Sequence, residues 1–271
     1  MTGLILAAIS VAACDYTGWG CDGLERRDGV RIAGPKNTYA IHLVSEKAKS
    51  AGKAATYFTM TRPRRIWGFG QHAVTRFLGM EINDIPLSKI VVTDHTFKYA
   101  DDGATAHLNF DGTAIDVTMF MKETSPLLWF RIRSANEQLR PLRKFVLSLR
   151  CVISGRCEEC PAAGGYARYA VTAARTLDAT PQPQMLSEKD RYLVLADRNL
   201  DGSRQGRGYG ANVIRLPDFD LLERAELSLD NTLETSLKMS VRPDFKELEF
   251  AILQTQGPLS VEEAIRQGTI Q

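Results

Sequence analysis

The sequence predicts an all-β fold, a large antiparallel β-sandwich closed by one short C-terminal helix. Three observations predict it: apolar residues recur with a period of two through most of the chain, turn-forming residues separate the runs, and a helix-start signal appears only near the end. Period two matters because successive side chains of an extended strand point to opposite faces, so alternation marks a strand with one buried side.

The elements follow in order of clarity. In Ala104 to Phe110, Ala106, Leu108 and Phe110 alternate with Thr105, His107 and Asn109; in Ala114 to Met121, Ile115, Val117, Met119 and Met121 alternate with Asp116 and Thr118. Between them Asp111-Gly112 tolerates the positive φ of a type I′ turn, which predicts a hairpin. A second hairpin is expected from Leu127 to Ser134 and Leu142 to Ile153, with Leu128, Phe130 and Ile132 on one face and Phe145, Leu147, Leu149 and Ile153 on the corresponding one. Further strand patterns occupy Tyr39 to Val44, Thr56 to Thr61, Ile90 to Tyr99, Tyr192 to Ala196, Asn212 to Leu216, Glu226 to Leu229, Thr235 to Val241 and Glu247 to Leu253. Roughly a dozen strands joined by short turns favour two packed sheets. The Ala-, Gly- and Pro-rich segment Cys157 to Gln184 reads as a long connection or mobile lobe. Ser260-Val-Glu-Glu263 forms a capping box ahead of Ala264, Ile265 and Arg266, with Gly268 as the stop signal.

With 271 residues, 44% of them hydrophobic, the chain can bury a sizeable core. Its 34 Lys and Arg against 32 Asp and Glu leave a net charge of +2, which gives no general attraction to polyanions and sets nucleic acid aside as a partner. The basic run Arg62-Pro-Arg64-Arg65 reads as a solvated loop. Leu4 to Ala13 is apolar, too short to span a bilayer, and ends at Val11-Ala-Ala-Cys14, small residues before a Cys that resemble the lipobox of bacterial lipoproteins. The positive leader of a secretory signal is missing, since the first Arg is Arg26. Residues 1–14 are therefore a signal segment leaving a lipid anchor on Cys14 in the cell envelope, or the N-terminal strand of a cytoplasmic chain; residues 15–271 are expected to form one β-sandwich domain. Cys14, Cys21, Cys151, Cys157 and Cys160 allow disulfides, unpaired thiols, or a zinc site in which Cys14 or Cys21 completes the set begun by Cys151, Cys157 and Cys160.

Opposite the apolar face of the strand that starts at Leu127 stand Trp129, Arg131 and Arg133. An aromatic ring gives a sugar a flat apolar platform, and guanidinium forks bond hydroxyls or carboxylates, so the three are the candidate ligand-binding residues. The strand phrase Ser125-Pro-Leu-Leu-Trp-Phe-Arg-Ile-Arg-Ser-Ala-Asn136 resembles strand pairs of the galactose mutarotase-like supersandwich domains of carbohydrate-active enzymes, over about thirty residues. That resemblance implies a supersandwich-like fold and a role in saccharide binding, in epimerisation, or as an accessory module of glycan-processing enzymes.

Catalysis of the mutarotase type needs a histidine acid beside a carboxylate base. Of His42, His72, His95 and His107, the candidates are His107, on the polar face of its strand with Thr105 and Asn109, and His95, which shares its face with Phe97 and Tyr99; Glu81, Asp94, Asp116 and Glu123 are the available carboxylates. Asp197-Arg-Asn199-Leu-Asp201-Gly202 matches the first half of a calcium loop, giving Asp197, Asn199 and Asp201 as candidate calcium ligands, but the twelfth position is Gly208 rather than Glu. Gly206-Arg-Gly208-Tyr-Gly210 lacks the Lys and Ser/Thr of a phosphate loop, and no nucleophile elbow, zincin helix or dinucleotide fingerprint occurs. Three functions follow: a carbohydrate-binding or accessory domain, an aldose epimerase or glycan-processing enzyme on the same scaffold, and a structural envelope lipoprotein.

Overall fold

The computed structural model describes residues 25–34, 37–46, 55–62, 77–89, 96–100, 103–110, 112–123, 125–135, 139–151, 167–198, 211–229, 235–254 and 260–268. In chain order the strands are β1 (Glu25–Ala33), β2 (Thr38–Glu46), β3 (Ala55–Arg62), β4 (Leu78–Ile82), β5 (Ile85–Pro86), β6 (Thr96–Ala100), β7 (Gly103–Phe110), β8 (Thr113–Met121) and β9 (Leu128–Ser134). They continue as β10 (Phe145–Cys151), β11 (Arg168–Val171), β12 (Thr176–Asp178), β13 (Gln184–Met185), β14 (Tyr192–Asp197), β15 (Asn212–Arg215), β16 (Leu222–Ser228), β17 (Thr235–Val241) and β18 (Glu247–Gln254), followed by helix α1 (Val261–Gly268). Two nine-stranded sheets result: the first in the order β1-β2-β3-β4-β10-β17-β16-β13 with β5 beside β4, the second in the order β12-β11-β14-β15-β18-β9-β8-β7-β6.

The alternation seen in the sequence is the alternation of the sheets. Ile41, Leu43, Phe58, Leu147 and Met239 of the first sheet and Val117, Phe130, Leu195, Phe250 and Ile252 of the second are fully buried in one shared core. Phe130 stacks on Phe250 with ring centroids 4.9 Å apart and meets Phe77, which leads into β4, at 5.9 Å, so aromatic contact spans the interface between the sheets. The hairpin of β7 and β8 is present, with Phe110 opposite Thr113 and Gly112 at φ +87°, while Asp111 lies outside the described residues. A second tight turn joins β4 to β5, where Asn83 and Asp84 both have positive φ (49° and 68°) and Ile82 pairs with Ile85.

Two expectations are corrected. Strands β9 and β10 do not form a hairpin: β9 lies between β8 and β18 in the second sheet, and β10 between β4 and β17 in the first. Leu128, Phe130 and Ile132 of β9 and Phe145, Leu147 and Leu149 of β10 do face the core, because strands that face each other across a core carry the same alternation as strands that pair; Ile153 lies outside the described residues. Within Cys157 to Gln184 the described part holds β11 and β12, a hairpin of the second sheet, rather than a bare connection. Of the pattern from Ile90 to Tyr99, the described part from Thr96 is strand β6, and residues 90–95 lie outside the described residues.

Asn83 fastens the crossover from β9 to β10. Its side-chain Oδ1 accepts from the backbone N–H of Arg143 (2.7 Å) and Lys144 (3.2 Å), while Nδ2 donates to the Pro141 carbonyl (3.0 Å) and to Thr113 Oγ1 on the other sheet (3.2 Å). Buried Asp190 plays a comparable part near β11. Its carboxylate accepts from Arg175 Nε and Nη2 (3.2 and 3.1 Å) and from the Ser187 N–H (2.8 Å), tying the β11–β12 turn to the entry of β14. Burial pushes the Asp190 carboxyl up, but the Arg175 guanidinium and the Ser187 and Thr172 hydrogen bonds outweigh it and hold the group below its ordinary value. A pKa lowered by folding contributes stability above the unfolded-state value and loses it as pH falls through the lowered one. Asp190→Asn is therefore expected to cost about 1–3 kcal/mol near neutral pH. In urea titrations at a series of pH values, the gap to the wild type closes in acid.

Candidate functional site

The registers place the candidate residues in rows across the outer face of the second sheet. One row runs His107, Asp116, Arg133, Glu247, and the next Thr105, Thr118, Arg131, Glu249, each from β7 through β8 and β9 to β18. A third runs Phe120, Trp129, Ala251. Side chains directly opposite have Cβ atoms about 4.5–5.5 Å apart, so each row is a line of direct contacts.

The first two rows are polar and paired. His107 Nδ1 lies 2.6 Å from Asp116 Oδ1, and Arg133 Nε donates to Glu247 Oε2 at 2.5 Å. The Thr105 and Thr118 hydroxyls are 2.9 Å apart, and Arg131 Nε donates to Glu249 Oε1 at 2.6 Å while standing 3.3 Å from Glu247 Oε1. The His107 and Asp116 side chains are 32% and 33% exposed, so solvent reaches both.

The third row is apolar and covered. Trp129 shares the outward face with Arg131 and Arg133 as expected, yet it is only 5% exposed, packed with Leu127, Ala251, Leu253 and Ala264 of α1 in a second, smaller core. Phe120 stacks beside it at 6.4 Å, Lys122 Nζ sits 3.8 Å from its ring centroid, and the Arg215 guanidinium lies at 5.2 Å. The open platform expected of Trp129 is thus absent from this structure. The cover comes from a helix at the far end of the chain, which strand alternation does not register. Capping by Ser260, whose Oγ accepts from the Glu263 N–H at 3.2 Å, starts that helix as expected, and Gly268 lets its end close on Val213, where a Cβ would stand 2.6 Å from Cγ1.

Where the first row ends, an open cleft of about 760 Å³ is lined by Asp116, Arg133, Ser134, Asp244, Lys246 and Glu247. Phe245 also borders it, but its ring is buried and stacked on Phe145 at 5.2 Å, so the wall offered to a ligand is polar. Asp244 and Lys246 belong to the β17–β18 connection and carried no sequence signal, being isolated charges in a turn. Asp116 stood among the available carboxylates, and the fold brings it to His107 through the hairpin register.

The other candidates fall elsewhere. Asp197 is buried at the end of β14, its Oδ2 3.4 Å from Nε of the equally buried Arg168, and Ala167 N–H donates to Oδ1 at 3.4 Å. Its carboxylate is thus directed at a guanidinium inside the sheet. Asn199 and Asp201 lie outside the described residues, as do His72, His95, Asp94, Cys14, Cys21, Cys157 and Cys160. Cys151 is buried in the main core. Among the described residues no group of three or more His, Cys, Asp and Glu could hold a metal ion.

The fold and the cleft together define a large antiparallel β-sandwich with a polar depression on the outer face of its second sheet. No protein-family model matches the chain, and no curated protein matches it in sequence. Among solved structures it is similar to the GH36 alpha-galactosidase AgaB from Geobacillus stearothermophilus, at 10% identity and a TM-score of 0.40 over 89% of this chain and 41% of that one. It is also similar to the alpha-N-acetylgalactosaminidase NagBb from Bifidobacterium bifidum, at 10% identity and a TM-score of 0.45 over 83% of this chain and 36% of that one. The chain thus spans about two fifths of the length of those enzymes. Likeness at this level establishes neither a shared activity nor a shared site.

Because Trp129 is core, its removal is a packing loss. Trp129→Ala is expected to destabilise the fold by about 3–5 kcal/mol, read as a lower denaturation midpoint in urea. An unchanged midpoint would return Trp129 to the surface.

Proposed function

We propose that the chain is a saccharide-binding β-sandwich domain, an accessory part of a carbohydrate-active system with no chemistry of its own, taking its ligand in the cleft beside Arg133. The observation that carries this reading is the make-up of the cleft wall: acceptors Asp116, Asp244 and Glu247 are interspersed with donors Arg133 and Lys246. A sugar hydroxyl both donates and accepts, so vicinal hydroxyls match a wall of alternating carboxylates and cations better than an apolar or single-sign ligand does. About 760 Å³ lies within the usual range of small-ligand sites. Recognition through hydrogen bonds alone favours weak, hydroxyl-specific binding, because no aromatic face adds stacking. Affinity-gel retention and NMR titration with neutral mono- and disaccharides test it. Arg133→Ala and Asp116→Asn are each expected to weaken binding at least about tenfold, or 1.4 kcal/mol, with the fold intact. Absence of retention on every polysaccharide would remove the proposal.

One contact favours a second reading, an epimerase-type enzyme. The 2.6 Å approach of His107 to Asp116 gives a cleft carboxylate a proton-exchanging partner. Asp116 lines the cleft and His107 stands behind it, so in this reading Asp116 meets the sugar and His107 sets its proton. Anomer exchange measured by NMR should then exceed the rate in buffer and fall in both His107→Ala and Asp116→Asn; indifference to both leaves the binding reading alone.

A further inference from the structure

The small core around Trp129 contains a polar atom that its packing does not satisfy. Trp129 is 5% exposed, and its buried indole Nε1–H has no hydrogen-bond partner among the described residues. A buried donor without an acceptor is unfavourable, and it marks a place where one further hydrogen bond can be gained.

Two cations stand against the same ring. Lys122 Nζ lies 3.8 Å from the indole centroid, and the Arg215 guanidinium carbon 5.2 Å from it. Arg215 reaches the ring along one row of the sheet, from β15 across β18 to β9, because the residue between them is Ala251, whose side chain is too short to keep them apart. Lys122 follows Phe120 by two residues and so leaves the sheet on the same face. Neither cationic group forms a hydrogen bond or ion pair among the described residues. The carboxylates of the adjoining rows, Glu247 and Glu249, are engaged by Arg133 and Arg131, and Glu123, next to Lys122 in the chain, forms no ion pair with it. The ring quadrupole holds each cation in place without neutralising it. Three donors, one neutral and two charged, thus meet at one ring with no acceptor among them, an arrangement that an anion relieves.

We propose that this corner binds a small oxyanion, the carboxylate or phosphate group of a ligand, between Arg215, Lys122 and the Trp129 indole. The guanidinium fork matches two oxygens, the ammonium adds charge, and Nε1–H supplies the remaining donor. Entry is from the β8 side of the ring: α1 packs on β14 and β15, whereas Lys122 is exposed and can swing aside. The corner lies in a different row of the sheet from the Arg133 cleft and does not depend on the cleft's occupancy.

Proton–nitrogen NMR of the full chain, with the Trp129 indole resonance assigned through Trp129→Phe, tests the proposal. Sodium glucuronate or glucose 6-phosphate, added at constant ionic strength, is expected to move that resonance downfield until it saturates, while glucose leaves it in place. Whichever anion acts at the lower concentration identifies the group the corner takes. Arg215→Gln and Lys122→Gln are each expected to weaken the response about tenfold with the melting temperature unchanged. Trp129→Phe keeps an aromatic ring and removes the donor, and it should lower the affinity measured by calorimetry. Arg133→Ala should leave the titration as it is, which separates this corner from the cleft. A resonance that neither anion moves, an equal shift with glucose or with sodium chloride, or full affinity in the double variant Arg215→Gln/Lys122→Gln would overturn the proposal.

Discussion

Face-to-face burial of two sheets is the constraint on which the other features depend. Each strand commits alternate residues to the shared core, where Phe130 meets both Phe250 and Phe77, and a one-residue slip would turn the whole set outward. The core therefore fixes register, and register fixes which side chains stand beside one another on the outer faces. The His107–Asp116 contact, the Arg131–Glu249 and Arg133–Glu247 pairs and the Gly79–Ser148 depression are all by-products of core packing in this sense. None of them needs to be stabilising in itself. Exposed ion pairs of this kind contribute about 0–1 kcal/mol each, far less than the buried aromatic side chains beneath them.

The outer face of the second sheet shows how one strand divides between core and surface. Trp129, Arg131 and Arg133 point the same way from β9, but α1 lies only over the Trp129 end, where Val194, Val213, Ala251 and Leu253 give it an apolar bed. Beyond that bed the outward positions are charged and solvated, and an amphipathic helix gains nothing by covering them. The boundary falls between adjacent rows of the sheet. It makes the tryptophan part of a small second core and leaves the arginines at the rim of an open cleft.

The extent to which the sequence discloses this arrangement depends on the range of each signal. The β7–β8 hairpin was legible because its turn and both alternating runs lie within twenty or so residues, and α1 because Ser260 and Glu263 mark its start locally. The pairing of β9 was not legible. Its partner β18 is distant in the chain, and alternation carries no information about which strand lies alongside. Hairpin β4–β5 had a local signal in Asn83-Asp84, two residues that tolerate positive φ, but its strands are too short to show a period. Burial of Trp129 was illegible for the same reason as the β9 pairing, since what covers it comes from elsewhere. Candidate residues read from one strand alone are thus reliable in direction and silent about neighbours.

The two depressions have different physical origins. A depression over Gly79 on the first sheet, about 420 Å³, is lined mostly by laddered strands, β3, β4, β10 and β17, with Leu87 and Ser88 of the 3₁₀ turn beside them. The spacing of that lining is therefore set by the ladder itself. The cleft beside Arg133 has one rigid wall, Asp116 and Arg133 on β8 and β9, and one wall on the β17–β18 connection, Asp244 and Lys246. Phe245, stacked on Phe145, anchors that connection from below. The cleft thus sets one wall fixed by a ladder against one carried on a connection. The two depressions differ in this respect because the cleft takes Asp244 and Lys246 from a connection between strands, whereas most of the lining over Gly79 is laddered strand.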